Sequence, residues 1–233
     1  MEYKTIGVIC AMEEEKDAVK AHLQDVKPVH QQAGLLFEEG KAGDLTVYFV
    51  TAGIGKVNSA MCTQIMIDQL NPDALLNIGV AGALDSTLEQ GDLVISTEAQ
   101  EHDMDCTDLG EEAGIIPRME TSIFTPDPQL VQVAEAACQK MGIPFRLGKV
   151  VSGDQFIGNA ARKKVLVEEF HGTCAEMEGA AMAHVCYLNR KPWLILRSIS
   201  DKADGEAELS YPEFKDMAAR RAGELFKDLT KEL

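Results

Sequence analysis

Lys191-Pro192-Trp193-Leu194-Ile195-Leu196-Arg197-Ser198-Ile199-Ser200-Asp201 is an apolar run of strand length, introduced by a proline and ending on a serine and an aspartate. A buried strand is expected there, with Asp201 at its carboxyl end. Ligands of open α/β sheets sit at that end, where a carboxylate is easily desolvated into an acid. Ser and Asp are also ordinary turn caps, so this stretch alone leaves both readings open.

Working outward, strands alternate with helices along the whole chain. Thr5-Ile6-Gly7-Val8-Ile9-Cys10 reads as a first buried strand, followed by Glu13-Glu14-Glu15 at the entry to a helix, where the helix dipole favours acids. Gly34 to Phe37 and Leu45 to Val50 read as a hairpin joined by the glycine-rich turn 40–44. Gly53-Ile54-Gly55-Lys56 precedes a helix from Val57 to Leu70; it lacks the Walker A spacing, and its glycines serve close ligand approach and tight packing equally well. Ala74 to Gly79 is a further strand, ending in the small residues of Val80-Ala81-Gly82-Ala83. Leu93 to Ser96 is another, and the stretch from about Glu101 to Thr125 is irregular. A loop that long is functional or lies against a neighbouring subunit, and its apolar Cys106, Leu109, Ile115, Ile116 and Pro117 favour the neighbour.

Pro128 to Met141 reads as a helix, Leu147 to Ser152 as a strand, Gly153 to Gly158 as a loop carrying Phe156, and Ala161 to Phe170 as an exposed helix. Glu176 and Glu178 precede a nearly uncharged helix from Ala180 to about Leu188 and would share one face if extended. His184 within that helix reads as a hydrogen-bonded core histidine. A polar loop, Lys202 to Glu208, reads as a lid or a mobile connection, and a last helix is expected from Glu213 to about Leu229.

Length and composition bound what this arrangement can be. At 233 residues and 45% hydrophobic content the chain can bury a full core; nothing in it reads as a linker, so residues 1–233 are expected to form a single three-layer α/β/α domain with a mixed central sheet. The net charge of -16 opposes nucleic acid and anionic membrane surfaces as partners. Six cysteines without close pairs read as reduced thiols of a cytosolic protein; neither a signal peptide nor a membrane-spanning run is visible. His102-Asp103-Met104-Asp105 has no second cluster to complete a metal site, so neither metal nor cofactor is expected.

Carboxylates thus gather at three strand ends: Glu15, the Glu176 and Glu178 pair, and Asp201. Two carboxyl groups held apart in a partly apolar cleft can act as acid and base in breaking a glycosidic bond, and a third can steady the developing cation.

At these residues the chain resembles a known family. Ala11-Met12-Glu13-Glu14-Glu15, Gly53-Ile54-Gly55-Lys56-Val57, Gly79-Val80-Ala81-Gly82, Ser152-Gly153-Asp154-Gln155-Phe156, Glu176-Met177-Glu178-Gly179-Ala180 and Arg197-Ser198-Ile199-Ser200-Asp201 occur in the order seen in bacterial 5'-methylthioadenosine/S-adenosylhomocysteine nucleosidases. The resemblance implies a nucleoside phosphorylase-like fold and a cytoplasmic homodimer acting on a small nucleoside. By the same resemblance Asp201 protonates N7 of adenine, Glu15 activates water, and Glu178 with Met177 holds the ribose hydroxyls, Glu176 lying beside them. Phe156 and Ile157 would pack on and hydrogen-bond the adenine, and Gly82 and Val80 would be among the substrate-binding residues. Arg197 and Ser200 would support the base end, and Met12, Ile54 and Tyr211 would line the sugar and 5' end. Cys106, Leu109 and Pro117 would complete the 5' pocket of the neighbouring subunit. Many relatives carry Ser at Val80, a residue thought to position the catalytic aspartate, and some carry an aromatic at Leu109. The alternatives are a purine nucleoside phosphorylase using phosphate, an aminodeoxyfutalosine nucleosidase, and a non-catalytic nucleoside-binding protein. The three acids after the first strand, where phosphorylases usually carry a phosphate loop, favour water as nucleophile.

Overall fold

The structure, a computed structural model, describes residues 3–203 and 207–233, with the backbone alone for 207–210. Its spine is four strands: β1 (Thr5–Cys10), β4 (Leu45–Thr51), β5 (Ala74–Ala83) and β10 (Trp193–Asp201). β1 pairs in parallel with β4 and β5, and β5 pairs in parallel with β10. Strands covered on both faces have no wet side on which to place polar residues, hence their continuous apolar runs.

β6 (Leu93–Glu101), β7 (Ile123–Phe124), β8 (Phe145–Ser152) and β9 (Cys174–Glu176) extend this spine, with β6 antiparallel to β10 and β9 antiparallel to β5. The path β10-β6-β8-β9-β5 returns to its start through the β5 and β10 pairing, so five of the ten strands close into a ring. The sheet is therefore mixed, as expected.

Beyond β4 lie β3 (Leu35–Ala42) and the edge strand β2 (Gln24–Gln32). Sequence reasoning missed β2, because Gln-Asp-Val-Lys-Pro-Val-His-Gln-Gln is polar and mostly exposed. An edge strand needs no apolar alternation, and Pro28 is tolerated there. β3 also runs through Gly40, so the turn narrows to Gly43-Asp44. A Cβ on Gly40 would lie 2.9 Å from Leu23 Cβ, and packing rather than turning explains that glycine.

Helices cover both faces. α2 (Lys56–Leu70) and α5 (Gly179–Asn189) bury Cys62, Met66, Ala180 and Met182 against one side. On the other, α1 (Glu13–Lys20), α3 (Pro128–Met141) and α6 (Ala207–Leu229) bury Val19, Leu130, Ala134, Leu225 and Phe226. Each large apolar side chain so buried stabilises the fold by about 1.5–3 kcal/mol. α4 (Ala160–Glu168) caps a smaller cluster with Leu166 and Phe170.

α6 begins six residues earlier than expected. Pro212, just before the expected start, lies inside the helix, where it removes one i to i−4 hydrogen bond. Of the polar stretch 202–208 read as a lid or connection, residues 204–206 lie outside the described residues. Residues 102–122 are irregular apart from one helical turn at Thr107–Leu109. Among the described residues no helix is long and apolar enough to cross a membrane.

Candidate active site

The first acid is selected by the geometry of a helix entry. Glu13, Glu14 and Glu15 form the first turn of α1, yet Glu13 and Glu14 face outward to Lys16 and Lys215, while Glu15 is 3% exposed. Its Oε2 accepts N–H bonds from Ala11 (2.9 Å) and Met12 (3.0 Å), and its Oε1 accepts one from Val80 (3.0 Å). Burial pushes the Glu15 carboxyl up; the charge of Arg197 and the three backbone donors oppose this without cancelling it. Gly79 makes room for this carboxylate, since a Cβ there would lie 2.5 Å from Glu15 Oε1. Gly79→Ala is therefore expected to displace Glu15 and cut kcat/KM by about 10²-fold, with about 1–3 kcal/mol of overpacking cost seen in denaturant melts. Wild-type turnover in that variant would mean that the position of Glu15 is immaterial.

The second group forms where β9 turns into α5. Glu176 ends the strand, but Glu178 is the N-cap of α5 with φ -135° and ψ -41°, so the extended arrangement expected for the pair does not occur. The chain has to turn here to start the helix, and the two carboxylates take different partners. Glu176 accepts N–H bonds from Glu178 (3.1 Å) and Gly179 (2.7 Å), and further bonds from the Ser152 hydroxyl and the Arg197 guanidinium. Glu178 reaches across to α2, accepting from Gly55 N–H at 2.8 Å.

Burial, and after it the Glu176 carboxylate, push Glu178 up to about 8. A carboxyl with its folded pKa above its unfolded one holds more protons folded. Its contribution to stability is fully present below about pH 4 and is lost as the pH rises toward 8. Glu178→Gln removes that loss, so its Tm should rise relative to the parent by at least about 2 °C between pH 5 and pH 8. A Tm difference independent of pH would contradict the assignment.

The third element is the end of β10. Ile199 pairs with Ala81, but Asp201 pairs with Gly82, because a bulge at Ser200 moves the ladder on by one residue. Asp201 is 2% exposed; its Oδ1 accepts from Ala203 N–H (2.9 Å) and its Oδ2 from the Ser200 hydroxyl (2.8 Å). A Cβ on Gly82 would come within 2.8 Å of Asp201 Oδ1, so glycine is needed there. Val80 contributes its backbone N–H to Glu15, while Ser200 and Ala203 donate to Asp201.

These groups meet in a cavity of about 320 Å³, lined by Glu15, Glu176, Glu178 and Asp201 together with Met12, Ile54, Val80, Gly82, Phe156, Met177, Ser200 and Tyr211. Phe156 and Tyr211 stand edge to face at 5.7 Å, and the Tyr211 hydroxyl is 3.3 Å from Met12 Sδ. Ile157 lines a small adjoining space of about 40 Å³ instead. A larger cavity of about 820 Å³, lined in part by Lys4, His22 and Lys227, contains none of these acids, and volume alone does not mark the site.

One sequence expectation changes. Arg197 does not line the cavity's base end; it lies behind the carboxylates, bonded to Glu176, the Asn77 side chain and the Asn77 carbonyl. A buried guanidinium must find several acceptors, and the strand beneath the carboxylates supplies them. Cys106, Leu109 and Pro117, expected at the pocket of a neighbouring subunit, lie in the irregular stretch away from this chain's own cavity, with Leu109 82% exposed.

Residues 5–232 match the family described as the Phosphorylase superfamily. The chain belongs to that superfamily. It is 39% identical over 229 residues to a 5'-methylthioadenosine/S-adenosylhomocysteine nucleosidase of Staphylococcus carnosus, covering 98% of this chain and 100% of the relative. Among solved structures, a 5'-methylthioadenosine/S-adenosyl homocysteine nucleosidase of Helicobacter pylori superposes with a TM-score of 0.95 at 32% identity, covering 100% of both chains. A futalosine hydrolase of Helicobacter pylori matches with a TM-score of 0.95 at 31% identity, covering 99% of each chain.

For this superfamily member, sequence reasoning missed Asn77 and Ser152, which hold Arg197 and Glu176 from behind. Asn77 could have been found as the one polar residue within the apolar run Leu75-Leu76-Asn77-Ile78. Ser152 stands at the head of one of the family-like motifs, where no role was read for it.

Proposed function

We propose that this chain hydrolyses the N-glycosidic bond of 5'-methylthioadenosine, S-adenosylhomocysteine and related 5'-substituted adenosines, releasing adenine and the 5'-substituted ribose. One observation carries the reading: among the described residues the cavity lining holds four carboxylates and no lysine or arginine. A phosphate dianion would find no cationic partner among these carboxyl groups, whereas water and a developing sugar cation fit.

Asp201 gives a proton to N7 of the base as the bond from C1' to N9 breaks and its electron pair passes to the leaving adenine. Glu15 takes a proton from the water whose oxygen bonds to C1'. Its raised affinity for protons improves it as a base while leaving it largely ionised only above the ordinary carboxylate range. Glu178 and the Met177 backbone hold the ribose 2'- and 3'-hydroxyls beside the cationic centre, with Glu176 and Arg197 fixing them from below. Phe156 and Ile157 pack on the adenine, which Ser200 supports through Asp201; Met12, Ile54 and Tyr211 line the sugar and 5' end.

Residues 1–233 act as a single domain in a cytoplasmic homodimer serving methionine salvage and so amino-acid biosynthesis. Cys106, Leu109 and Pro117 complete the 5' pocket of the neighbouring subunit. The exposure of Leu109 supports this, as does the open cavity rim where Ile54 and Phe156 are 55% and 49% exposed. The futalosine hydrolase likeness favours aminodeoxyfutalosine as a second substrate, distinguished at the 5' end.

Incubation with 5'-methylthioadenosine, with and without phosphate, tests the reaction. Adenine and free methylthioribose are expected in both; a ribose 1-phosphate would make the enzyme a phosphorylase, and no adenine would leave only nucleoside binding. A kcat/KM series over the 5'-substituted adenosines and aminodeoxyfutalosine then ranks the substrates.

A further inference from the structure

Beside the cavity, and not lining it, lies a second ionic cluster centred on Lys56, the first residue of α2. Its backbone N–H donates to Asp154 Oδ1 (2.8 Å), and its Nζ contacts Asp103 Oδ1 (2.6 Å) and Glu101 Oε2 (2.9 Å). Asp103 closes the circle by accepting the Asp154 N–H on Oδ2 at 2.9 Å. The side chains of Lys56, Asp103 and Glu101 are 17%, 15% and 10% exposed, so solvent screens these contacts less than it does an ordinary surface pair.

Two members sit close in sequence to residues of the cavity. Ile54 precedes Lys56 by two positions, Phe156 follows Asp154 by two, and the intervening Gly55 gives its N–H to Glu178. Glu101 extends the cluster to α5, its Oε1 lying 3.1 Å from His184 Nδ1. Glu178, the N-cap of α5, is therefore placed between two helices that the same lysine ties together. Two glycines let the segments close on the ring. At Gly55, with φ +99°, a Cβ would lie 2.9 Å from Asp154 Oδ1; at Gly153 it would lie 2.4 Å from His102 Cε1.

We propose that Lys56 is a positioning residue for substrate binding, locking the 53–56 and 153–156 segments together so that Ile54, Phe156 and Glu178 meet the nucleoside in one geometry. This rests on the nucleosidase reading. Lys56 touches no reacting atom, so its loss removes binding common to ground and transition states: KM rises while kcat is largely kept.

The test compares Lys56→Met with Lys56→Arg, using adenine release from 5'-methylthioadenosine and hydrogen exchange of peptides covering 51–58 and 150–158. Lys56→Met is expected to raise KM about tenfold with kcat within about threefold of the parent, and to speed exchange in both peptides together. Lys56→Arg should recover most of the KM. A folded Lys56→Met whose KM stays within about twofold, or whose exchange rises in only one peptide, overturns the proposal, as does a loss of Tm with unchanged KM. Should Lys56→Met fail to fold, Asp103→Asn, which keeps an acceptor for the Asp154 N–H, is read by the same criteria. Failure of the nucleosidase reading shows separately, as absence of adenine with the parent enzyme, and the joint exchange of the two peptides then decides the lock alone.

Discussion

Asp201→Asn should lower kcat for adenine release by about 10²–10⁴-fold while leaving the Tm nearly unchanged. The loss follows from the chemistry: an amide has no proton of suitable acidity to give N7, so adenine must leave as a poorer leaving group. Retention of the fold follows from the local bonding. The asparagine oxygen can still accept from Ala203 N–H, and its NH₂ can face the Ser200 hydroxyl, which is free to turn toward the Ala81 carbonyl 3.3 Å away. Neither of these two donors is orphaned. Turnover, Tm and binding of the intact nucleoside, measured on one preparation, check the claim; a parental kcat would remove Asp201 from the leaving-group step.

Glu15→Gln is expected to cost a similar factor, about 10²–10⁴ in kcat, but with a different signature. All three N–H groups around Glu15 donate to it, so whichever way a glutamine amide turns, its NH₂ meets a donor. That mismatch costs about 1–3 kcal/mol, offset by no longer burying a charge. The decisive readout is pH. A base works only when unprotonated, and burial holds Glu15 above the ordinary carboxylate range, so the parental rate should fall as pH drops through that raised value. The residual rate of Glu15→Gln should lack that acid limb; an unchanged limb would assign it to another group.

Much of this was legible in the sequence wherever burial imposes a pattern. The apolar runs at 5–10, 74–79 and 193–196 fall on β1, β5 and β10, and Pro128–Met141 matches α3 end for end. β2 escaped because an exposed edge leaves its sequence free of pattern, and the start of α6 because Pro212 stands inside the helix rather than before it. The placement of the acids was legible too, but their partners were not. That Glu15 faces inward while Glu13 faces out depends on the helix direction. That Arg197 serves Glu176 rather than the base end depends on which strand crosses beneath it.

The bulge at Ser200 has a consequence for anyone rebuilding this site in another framework. A regular ladder would set Asp201 opposite Ala83, and side chains that alternate with period two would then point the acid elsewhere. Its orientation is stored as an odd or even count of residues along β10. Replacements along the strand leave that count untouched, whereas inserting or deleting one residue between Leu194 and Ser200 inverts it. What has to be copied into a new scaffold is a length as much as an aspartate.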